Sequence, residues 1–246
     1  MPFENVKVVC LLSGGPDSTA MIWKYLMETN HRIHIHHVIL DTNDVNRHNS
    51  EWVAVQKIIK WLRDPVNAEK YNYSIEGQIE GFTYNRFEFK GFGAPHDHYL
   101  YAMMAACFFM SPTGPAPIDW QNYTRAMATG RCAEDGTSTG GGHFRRAKRL
   151  FELATDNKVA WMTPMTGFGK REIINMIPRE LFELTTSCSY PVKINGVWNG
   201  CNQCVGCARR IEGMYQSDKY TKEELPEWHK YIEQRPNEQV QGYVKD

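Results

Sequence analysis

A glycine-rich turn near the start of the chain, SGGPDS at residues 13–18, carries groups that suit a phosphorylated ligand. Adjacent glycines let the backbone approach a phosphate closely, and the N–H groups that open a helix attract an anion. Asp17 would repel bare phosphate, so its presence favours a bridging Mg²⁺. The turn matches neither the Walker pattern nor GxGxxG. It predicts a nucleotide site, and the alternative is an ordinary Gly-Pro turn in which Asp17 caps a helix.

Four cysteines crowd into a short segment near the carboxyl end of the sequence, and the last three follow a CxxCxxC pattern. They are Cys188, Cys201, Cys204 and Cys207. Four thiolates complete the tetrahedral shell of Zn²⁺ and leave no open position, which is typical of a structural zinc site. The same spacing occurs in iron–sulfur proteins, and that alternative stays open. The other cysteines, Cys10, Cys107 and Cys132, are expected to be buried small residues or bystanders.

The composition is that of an ordinary globular protein, with 42% hydrophobic and 23% charged residues. Lys plus Arg and Asp plus Glu both number 28, so the chain lacks the basic surplus of a dedicated nucleic-acid binder. The basic run at residues 145–149 is interpreted as a solvated helix face. We recognise no secretory signal, and no apolar run reaches the roughly 18–20 residues that span a bilayer. We therefore expect a cytoplasmic protein with no membrane contact and no direct nucleic-acid partner.

Secondary-structure patterns indicate where these groups would lie. The apolar run Val6–Leu12, the glycine turn and a helical pattern at Thr19–Met27 form the strand–turn–helix opening of an α/β nucleotide-binding unit. Further strands are predicted at Ile33–Asp41, Tyr71–Ile79, Tyr123–Thr129 and Val159–Met162. Further helices are predicted at Ser50–Leu62, Tyr99–Met110, Phe144–Ala154 and Lys170–Ile177. This alternation favours an α/β fold with a parallel sheet sandwiched by helices and with ligands at the carboxyl ends of its strands.

Two stretches lack a clear strand or helix period. The aromatic, glycine-rich segment Glu80–Pro95 is expected to be a loop. The character of the sequence changes again after Leu184, where the cysteines begin and a charged, weakly helical tail follows at Thr221–Gln234. We therefore predict a nucleotide-binding domain over residues 1–184 and a small metal-binding module with a helical tail over residues 185–246.

The two motifs together resemble the 7-cyano-7-deazaguanine synthase family of PP-loop ATP pyrophosphatases, which pairs an SGGxDS loop with a C-terminal Cys…CxxCxxC group. Smaller matches follow in the same order. Residues 40–51 resemble the FDYGQRHxxE segment of that family, residues 129–130 its TG turn and residues 163–172 its TPL…KxE segment. Residues 187–190 resemble its SCY segment, and an arginine follows the last cysteine, as in the family, at position 209 or 210.

The resemblance implies the adenine nucleotide alpha-hydrolase-like (PP-loop) fold, with ATP, Mg²⁺ and structural Zn²⁺ as cofactors. It also implies that the glycine turn holds the pyrophosphate end of ATP through Ser13, Gly14, Gly15, Asp17 and Ser18. The implied cofactor-binding set also includes Leu11, Leu12, Pro16 and Thr19. Asp41 and Gly130 would lie beside the nucleotide.

Four residues are implied to take part in catalysis, namely Asp17, Lys170, Arg47 and His48. In the implied arrangement Arg47 and His48 face the phosphates or the substrate carboxylate, and Lys170 is a phosphate or transition-state cation. The residues by themselves leave other interpretations open. Arg47 and His48 could form a surface turn, and Lys170 could be the solvated start of a helix.

The implied activity is that of an ATP-dependent carbon–nitrogen ligase. It converts 7-carboxy-7-deazaguanine and ammonia to the 7-amido and then the 7-cyano compound in queuosine-type biosynthesis, and the resemblance also implies a homodimer. Two segments depart from the family: residues 94–98 read APHDH in place of VPxRN, and residues 131–144 contain no YPDC. The alternative is a PP-loop enzyme that stops at the amide or adenylates another carboxylate or base, including a tRNA-modifying enzyme.

Overall fold

The computed structural model describes residues 6–41, 45–88, 97–110, 124–133 and 140–225. One sheet contains the strands β1 Val6–Leu11, β2 Arg32–Asp41, β3 Ile79–Glu88, β4 Thr124–Ala128 and β5 Ala160–Met162. The strand order is β3-β2-β1-β4-β5, and all neighbouring strands in it are parallel. The strands β6 Val192–Ile194 and β7 Val197–Asn199 form a separate antiparallel hairpin.

Helices connect the strands and follow the last of them. They are α1 Pro16–Glu28, α2 Val45–Leu62, α3 Pro65–Tyr71, α4 Ile75–Gln78, α5 Asp97–Met110, α6 Gly140–Ala154, α7 Lys170–Met176, α8 Arg179–Glu183 and α9 Val205–Gln216. A 3₁₀ turn lies at Lys222–Glu224. Within the ranges given above, we find no helix whose length and apolar character would let it cross a membrane.

The sheet is covered by helices on both faces, because successive residues of its central strand are apolar and point to opposite sides. Val8 and Cys10 of β1 are buried in a cluster with side chains of α1, α2 and α7. Val9 and Leu11 are buried in a second cluster with side chains of α5 and α6. The predicted parallel sheet sandwiched by helices is confirmed, and the glycine turn lies at the carboxyl end of β1.

The strand predicted at Tyr71–Ile79 is wrong. Tyr71 ends α3, and Asn72 then adopts a left-handed conformation with φ 57°. The Ser74 side chain accepts a hydrogen bond from Gly77 N and caps α4. A left-handed residue and a helix cap both interrupt an extended strand, and the apolar residues of this segment pack from helices instead.

The third strand occupies the first part of the segment that was expected to be a loop. Phe82 and Tyr84 of β3 share one face and pack against Trp52 of α2, with ring centroids 6.2 and 4.7 Å from that indole. Aromatic side chains favour strands when one face can be covered in this way. Gly81 and the polar residues between the rings concealed the alternation, so the expectation of a loop was wrong for this part.

Several other predictions agree with the structure only in part. The helices α1 and α2 begin at Pro16 and Val45, earlier than predicted. Helix α9, in the segment without clear periodicity, was not predicted. Cys10 and Cys132 are buried, but Cys107 is exposed. The tail beyond residue 225 lies outside the described residues, as do residues 94–96 and 134–139 of the two segments that depart from the family. The division at residue 184 stays a prediction.

A buried ion cluster joins three strands at the opposite, amino-terminal edge of the sheet. The Glu80 Oε1 atom lies 2.9 Å from Lys7 Nζ and 3.0 Å from Arg32 Nε, and the Lys7 side chain is only 1% exposed. Ile33 pairs with Ile79 and His34 with Gly81, so Glu80 is the extra residue of a β-bulge. The bulge re-aims the carboxylate across β2 toward the cation on β1.

We expect Glu80→Ala to destabilise the fold by roughly 3–5 kcal/mol, because it removes the carboxylate that compensates the buried lysine. Urea unfolding followed by circular dichroism measures the change. The exposed Glu76→Ala variant is the control and should stay within about 0.5 kcal/mol of the parent protein. Equal unfolding midpoints for the two variants would contradict this role of Glu80.

Candidate functional site

The glycine turn is built by its own backbone and by two serine hydroxyls. Gly14 has φ +85°, a left-handed conformation that favours glycine, and Gly15 is the N-cap residue of α1. The Ser13 and Ser18 hydroxyl oxygens are 3.0 Å apart, and Ser13 N donates to Ser18 Oγ at 3.1 Å. Because this N-cap residue is glycine, it provides no side-chain cap for the 13-residue helix. The turn therefore presents a helix N-terminus without a side-chain cap, together with two hydroxyls, which suits an anion.

Lys170 and Asp17, 153 positions apart in sequence, meet beside the turn. Lys170 opens α7, and its Nζ atom donates to Asp17 Oδ2 at 2.5 Å and to Cys132 Sγ at 3.6 Å. The two charged side chains are 14% and 23% exposed. The structure thus places two predicted catalytic residues in contact. Lys170 is therefore not the solvated start of a helix, which was the other interpretation of this residue.

Helix α2 contributes a second charged group to the same edge of the sheet. Arg47 Nε donates to Glu51 Oε1 at 2.9 Å, and His48 Nδ1 lies 3.8 Å from Glu51 Oε2. Burial raises the pKa of Glu51, but hydrogen bonding to His48 and the charge of Arg47 outweigh it and hold that pKa below its usual value. Glu51 was absent from the predicted site, although its spacing four residues after Arg47 is a signal for an ion pair on one helix face.

Two cavities meet at the glycine turn. The loop cavity, of about 350 Å³, reaches from the turn to Gly130 and to the rings of Phe144 and Trp161. The cluster cavity, of about 360 Å³, reaches from the turn to Lys170 and to Arg209. Residues that line both are Ser13, Gly15, Asp17, Arg47, Glu51 and Tyr101. Tyr101, from the middle of α5, carried no sequence signal for a site, because it lies within an apolar helix.

The remaining predicted residues take different places. Leu11 and Leu12 line the loop cavity, and Pro16 lines the cluster cavity. Thr19 is buried, and its hydroxyl donates to Gly15 O at 2.8 Å, so it stabilises the backbone of the turn. His48 is buried behind Glu51. The Asp41 backbone ends β2, and the placement of its side chain lies outside the described residues.

The four predicted metal ligands come together in one cluster. Their Sγ atoms all lie within 4.8 Å of one another, so this cysteine cluster could hold a metal ion. Cys201 N donates to Cys188 Sγ at 3.1 Å, and Ser189 N donates to Cys204 Sγ at 3.3 Å. Burial raises the pKa of Cys204, but the backbone N–H donors outweigh it and lower that pKa to about 6. Such donors favour a thiolate, which is the form that binds metal.

A short segment connects the cysteine cluster to the glycine turn. Thr186 N donates to Gly14 O at 2.9 Å, two residues before the predicted ligand Cys188. Arg210 lies in α9, three residues after the last cysteine, and donates to Thr185 Oγ1 at 2.6 Å and to Phe182 O at 3.0 Å. Burial lowers the pKa of Arg210 to about 10. The glycine turn therefore holds this segment through Thr186, and α9 holds it through Thr185.

Comparison with known proteins adds little to this description. No protein-family model matches the chain, and no curated protein matches it. One matching solved structure is the U34-tRNA thiolase NcsA from Methanococcus maripaludis with its 4Fe-4S cluster, which is 16% identical, with a TM-score of 0.41 and 86% of this chain covered. The chain spans 64% of the length of that protein. Function is therefore inferred from the residues of the site.

Gly130 allows β4 to approach the start of α1. A Cβ atom at this position would lie 2.5 Å from both the N and the Cα of Ser18. We expect Gly130→Ala to destabilise the protein by roughly 1–3 kcal/mol, because backbone atoms must move to relieve the overlap. Gly167→Ala is the control, since a Cβ there meets nothing within 4 Å. Chemical denaturation measures both, and a Gly130→Ala protein as stable as the control would show that the approach is not tight.

Proposed function

We propose that this chain is an ATP pyrophosphatase-type enzyme, which forms AMP and pyrophosphate while it activates an acceptor. The observation that carries the proposal is the position of the glycine turn between two cavities that share Asp17 and Arg47. A nucleotide whose phosphates contact the turn has room for its base on one side. An acceptor has room on the other side, within reach of the same phosphates. Proximity of this kind supplies much of the catalysis in such reactions.

Each group of the turn has a role in that reaction. The amides that open α1 and the hydroxyls of Ser13 and Ser18 would hold the pyrophosphate end of ATP. Asp17 would hold Mg²⁺, which neutralises phosphate charge when it is bound. Lys170, already 2.5 Å from Asp17, is placed to stabilise negative charge as pyrophosphate leaves.

The two cavities differ in chemistry in a way that suits a base and a charged acceptor. Phe144 and Trp161 give the loop cavity flat apolar walls, and Arg131 stacks on Phe144 at 4.1 Å. Such walls suit a heterocycle. Arg209 and Arg210 line the cluster cavity, together with Lys170. Guanidinium groups suit a carboxylate, which they bind with a matching pair of donors.

For the acceptor we propose 7-carboxy-7-deazaguanine, on the strength of the ordered motif matches. A carboxylate oxygen attacks the α-phosphorus of ATP, and pyrophosphate leaves. Ammonia then attacks the acyl carbon and AMP leaves, which gives the amide. The amide oxygen then attacks the α-phosphorus of a second ATP and pyrophosphate leaves, and loss of AMP and of both nitrogen-bound protons gives the nitrile. This chain's groups bind and orient the reactants, and no nucleophilic side chain is needed.

For the cysteine cluster we propose a single structural Zn²⁺. Bonds of about 2.3 Å to a tetrahedral ion place the sulfurs about 3.8 Å apart. The Sγ atoms of Cys188 and Cys204 are 4.0 Å apart, close to that value. In a four-iron cluster each cysteine binds a different iron, so the sulfurs surround a larger body. A zinc ion here would hold the segment that carries Thr186 to the glycine turn.

We expect purified protein to contain one zinc per chain, and Cys204→Ser to lose zinc together with several degrees of melting temperature. Inductively coupled plasma spectrometry and calorimetry measure the two effects. Cys107→Ser is the matched control, because Cys107 is exposed and lies outside the cluster, and it should keep both. Iron with acid-labile sulfide in anaerobically prepared protein would contradict the zinc proposal and show that the cysteine cluster holds an iron–sulfur cluster.

The function is tested by incubation with ATP, Mg²⁺, ammonium and 7-carboxy-7-deazaguanine, read by mass spectrometry. We expect AMP and the nitrile, and we expect Asp17→Ala to lower the rate by roughly 10²–10³-fold. The exposed Glu69→Ala variant should match the parent protein.

Each other outcome changes a defined part of the proposal. AMP with only the amide would shorten the reaction by one step. AMP that forms with transfer RNA but not with the deazaguanine would favour the tRNA-modifying alternative. No AMP with either acceptor, or full activity in Asp17→Ala, would refute the reading of the glycine turn.

A further inference from the structure

Two buried histidines of β2 share one threonine hydroxyl. His34 Nε2 lies 2.9 Å and His36 Nδ1 lies 2.8 Å from Thr83 Oγ1 on the neighbouring strand β3. Both imidazoles face α5, with ring centroids 4.9 and 5.9 Å from that of Phe108. From the sequence, these histidines are readily interpreted as ordinary polar residues of a strand. Their geometry shows instead a continuous hydrogen-bonded row, His34–Thr83–His36.

The row restricts the state of the His36 ring. A hydroxyl has one hydrogen, so Thr83 can donate to only one of the two histidines at a time. The ring nitrogen of His36 that does not face Thr83 is a donor when Thr83 donates to His36 and an acceptor when neutral His36 donates to Thr83. Burial lowers the pKa of His36 to about 4, so the ring is neutral near pH 7.

That second nitrogen has no hydrogen-bond partner in the described part of the chain. His36 is 2% exposed, and its Nε2 atom is buried without a hydrogen-bond partner among the residues that the structure describes. A buried polar atom in this condition costs stability, and an apolar side chain of similar shape would avoid the cost. His36 also lines the loop cavity, one strand away from the glycine turn. The residue that carries the unpartnered nitrogen thus borders a cavity that has room for a ligand.

We propose that His36 Nε2 forms a hydrogen bond with the uncharged edge of a planar heterocycle bound in the loop cavity, with Thr83 as the positioning residue. The inference rests on the proposed function, because it names the part of the ligand that this side of the glycine turn receives. A neutral imidazole discriminates by hydrogen-bond pattern and gives little attraction to a phosphate. The aromatic rings of Tyr101, Phe144 and Trp161 in the same cavity suit a flat partner.

The heterocycle has two possible sources, the adenine of ATP and the base-like ring of the acceptor. Isothermal titration calorimetry distinguishes them. One arm titrates ATP–Mg²⁺ into the protein. The other titrates 7-carboxy-7-deazaguanine into protein saturated with a non-hydrolysable ATP analogue. A change confined to the first arm assigns adenine, and a change confined to the second assigns the acceptor.

The informative variant is His36→Phe, which keeps a ring against Phe108 and removes the unpartnered nitrogen. We expect one of the two dissociation constants to rise by roughly 3- to 30-fold, as for loss of a single buried hydrogen bond. We also expect a melting temperature equal to or above that of the parent protein, because the substitution removes one buried polar atom that has no partner among the described residues. His31→Phe is the matched control, since His31 precedes β2 and does not line the cavity.

Substitutions at Thr83 test the positioning role. Thr83→Val removes the shared hydroxyl and should weaken the same ligand as His36→Phe. Thr83→Ser retains the hydroxyl and should restore the parent affinity, which a purely structural role for the side chain would not require. Equal loss in the valine and serine variants would refute the positioning role.

The outcomes separate this inference from the proposed function. Parent protein that binds ATP, with His36→Phe unchanged in both arms, would overturn the role of His36 and leave the proposed function standing. Parent protein that binds no ATP–Mg²⁺ would overturn the proposed function and this inference together. A His36→Phe protein that is less stable than the parent and unchanged in affinity would show that the imidazole stabilises the core and does not bind the ligand.

Discussion

One backbone hydrogen bond, from Thr186 N to Gly14 O, joins the two halves of the candidate site. It requires the left-handed conformation of Gly14, whose φ is +85°. A side chain there would also approach within 2.9 Å of Glu51 O, so only glycine is accommodated easily. The bond sits two residues from Cys188 and one residue from the N-cap of α1. Any group that orders the cysteine cluster therefore also orders the glycine turn.

Close backbone approach is the means by which the site is assembled. Gly130 brings β4 against the first turn of α1, and Gly206 brings α9 against Ser187, where a Cβ would lie 1.8 Å from the carbonyl oxygen. These contacts hold the ends of several elements at one edge of the sheet with little help from side chains. The side chains at that edge remain available for ligands, and this is the edge at which parallel α/β proteins usually bind them.

The sequence was most informative where residue type and spacing have few physical solutions. The SGGPDS turn was predicted to follow a strand and open a helix, and the four cysteines were predicted to converge, as the structure shows. Lys170 and Asp17 were selected separately, by resemblance, and the structure brings them into contact. Prediction failed at β3, where packing of Phe82 and Tyr84 on a distant helix decides the conformation. It also missed Tyr101, because nothing in an apolar helix marks the residue that borders a cavity.

The two edges of the sheet treat buried polar groups in opposite ways. At the amino-terminal edge Lys7, Arg32 and Glu80 compensate one another within the protein. At the carboxyl-terminal edge the N-cap residue of α1, Gly15, provides no side-chain cap, and His36, which borders the loop cavity, has an Nε2 atom without a partner among the described residues. A fold optimised only for stability would avoid such groups. Gly15 and His36 both border the loop cavity, so a ligand with phosphates and a polar heterocycle would complete them together.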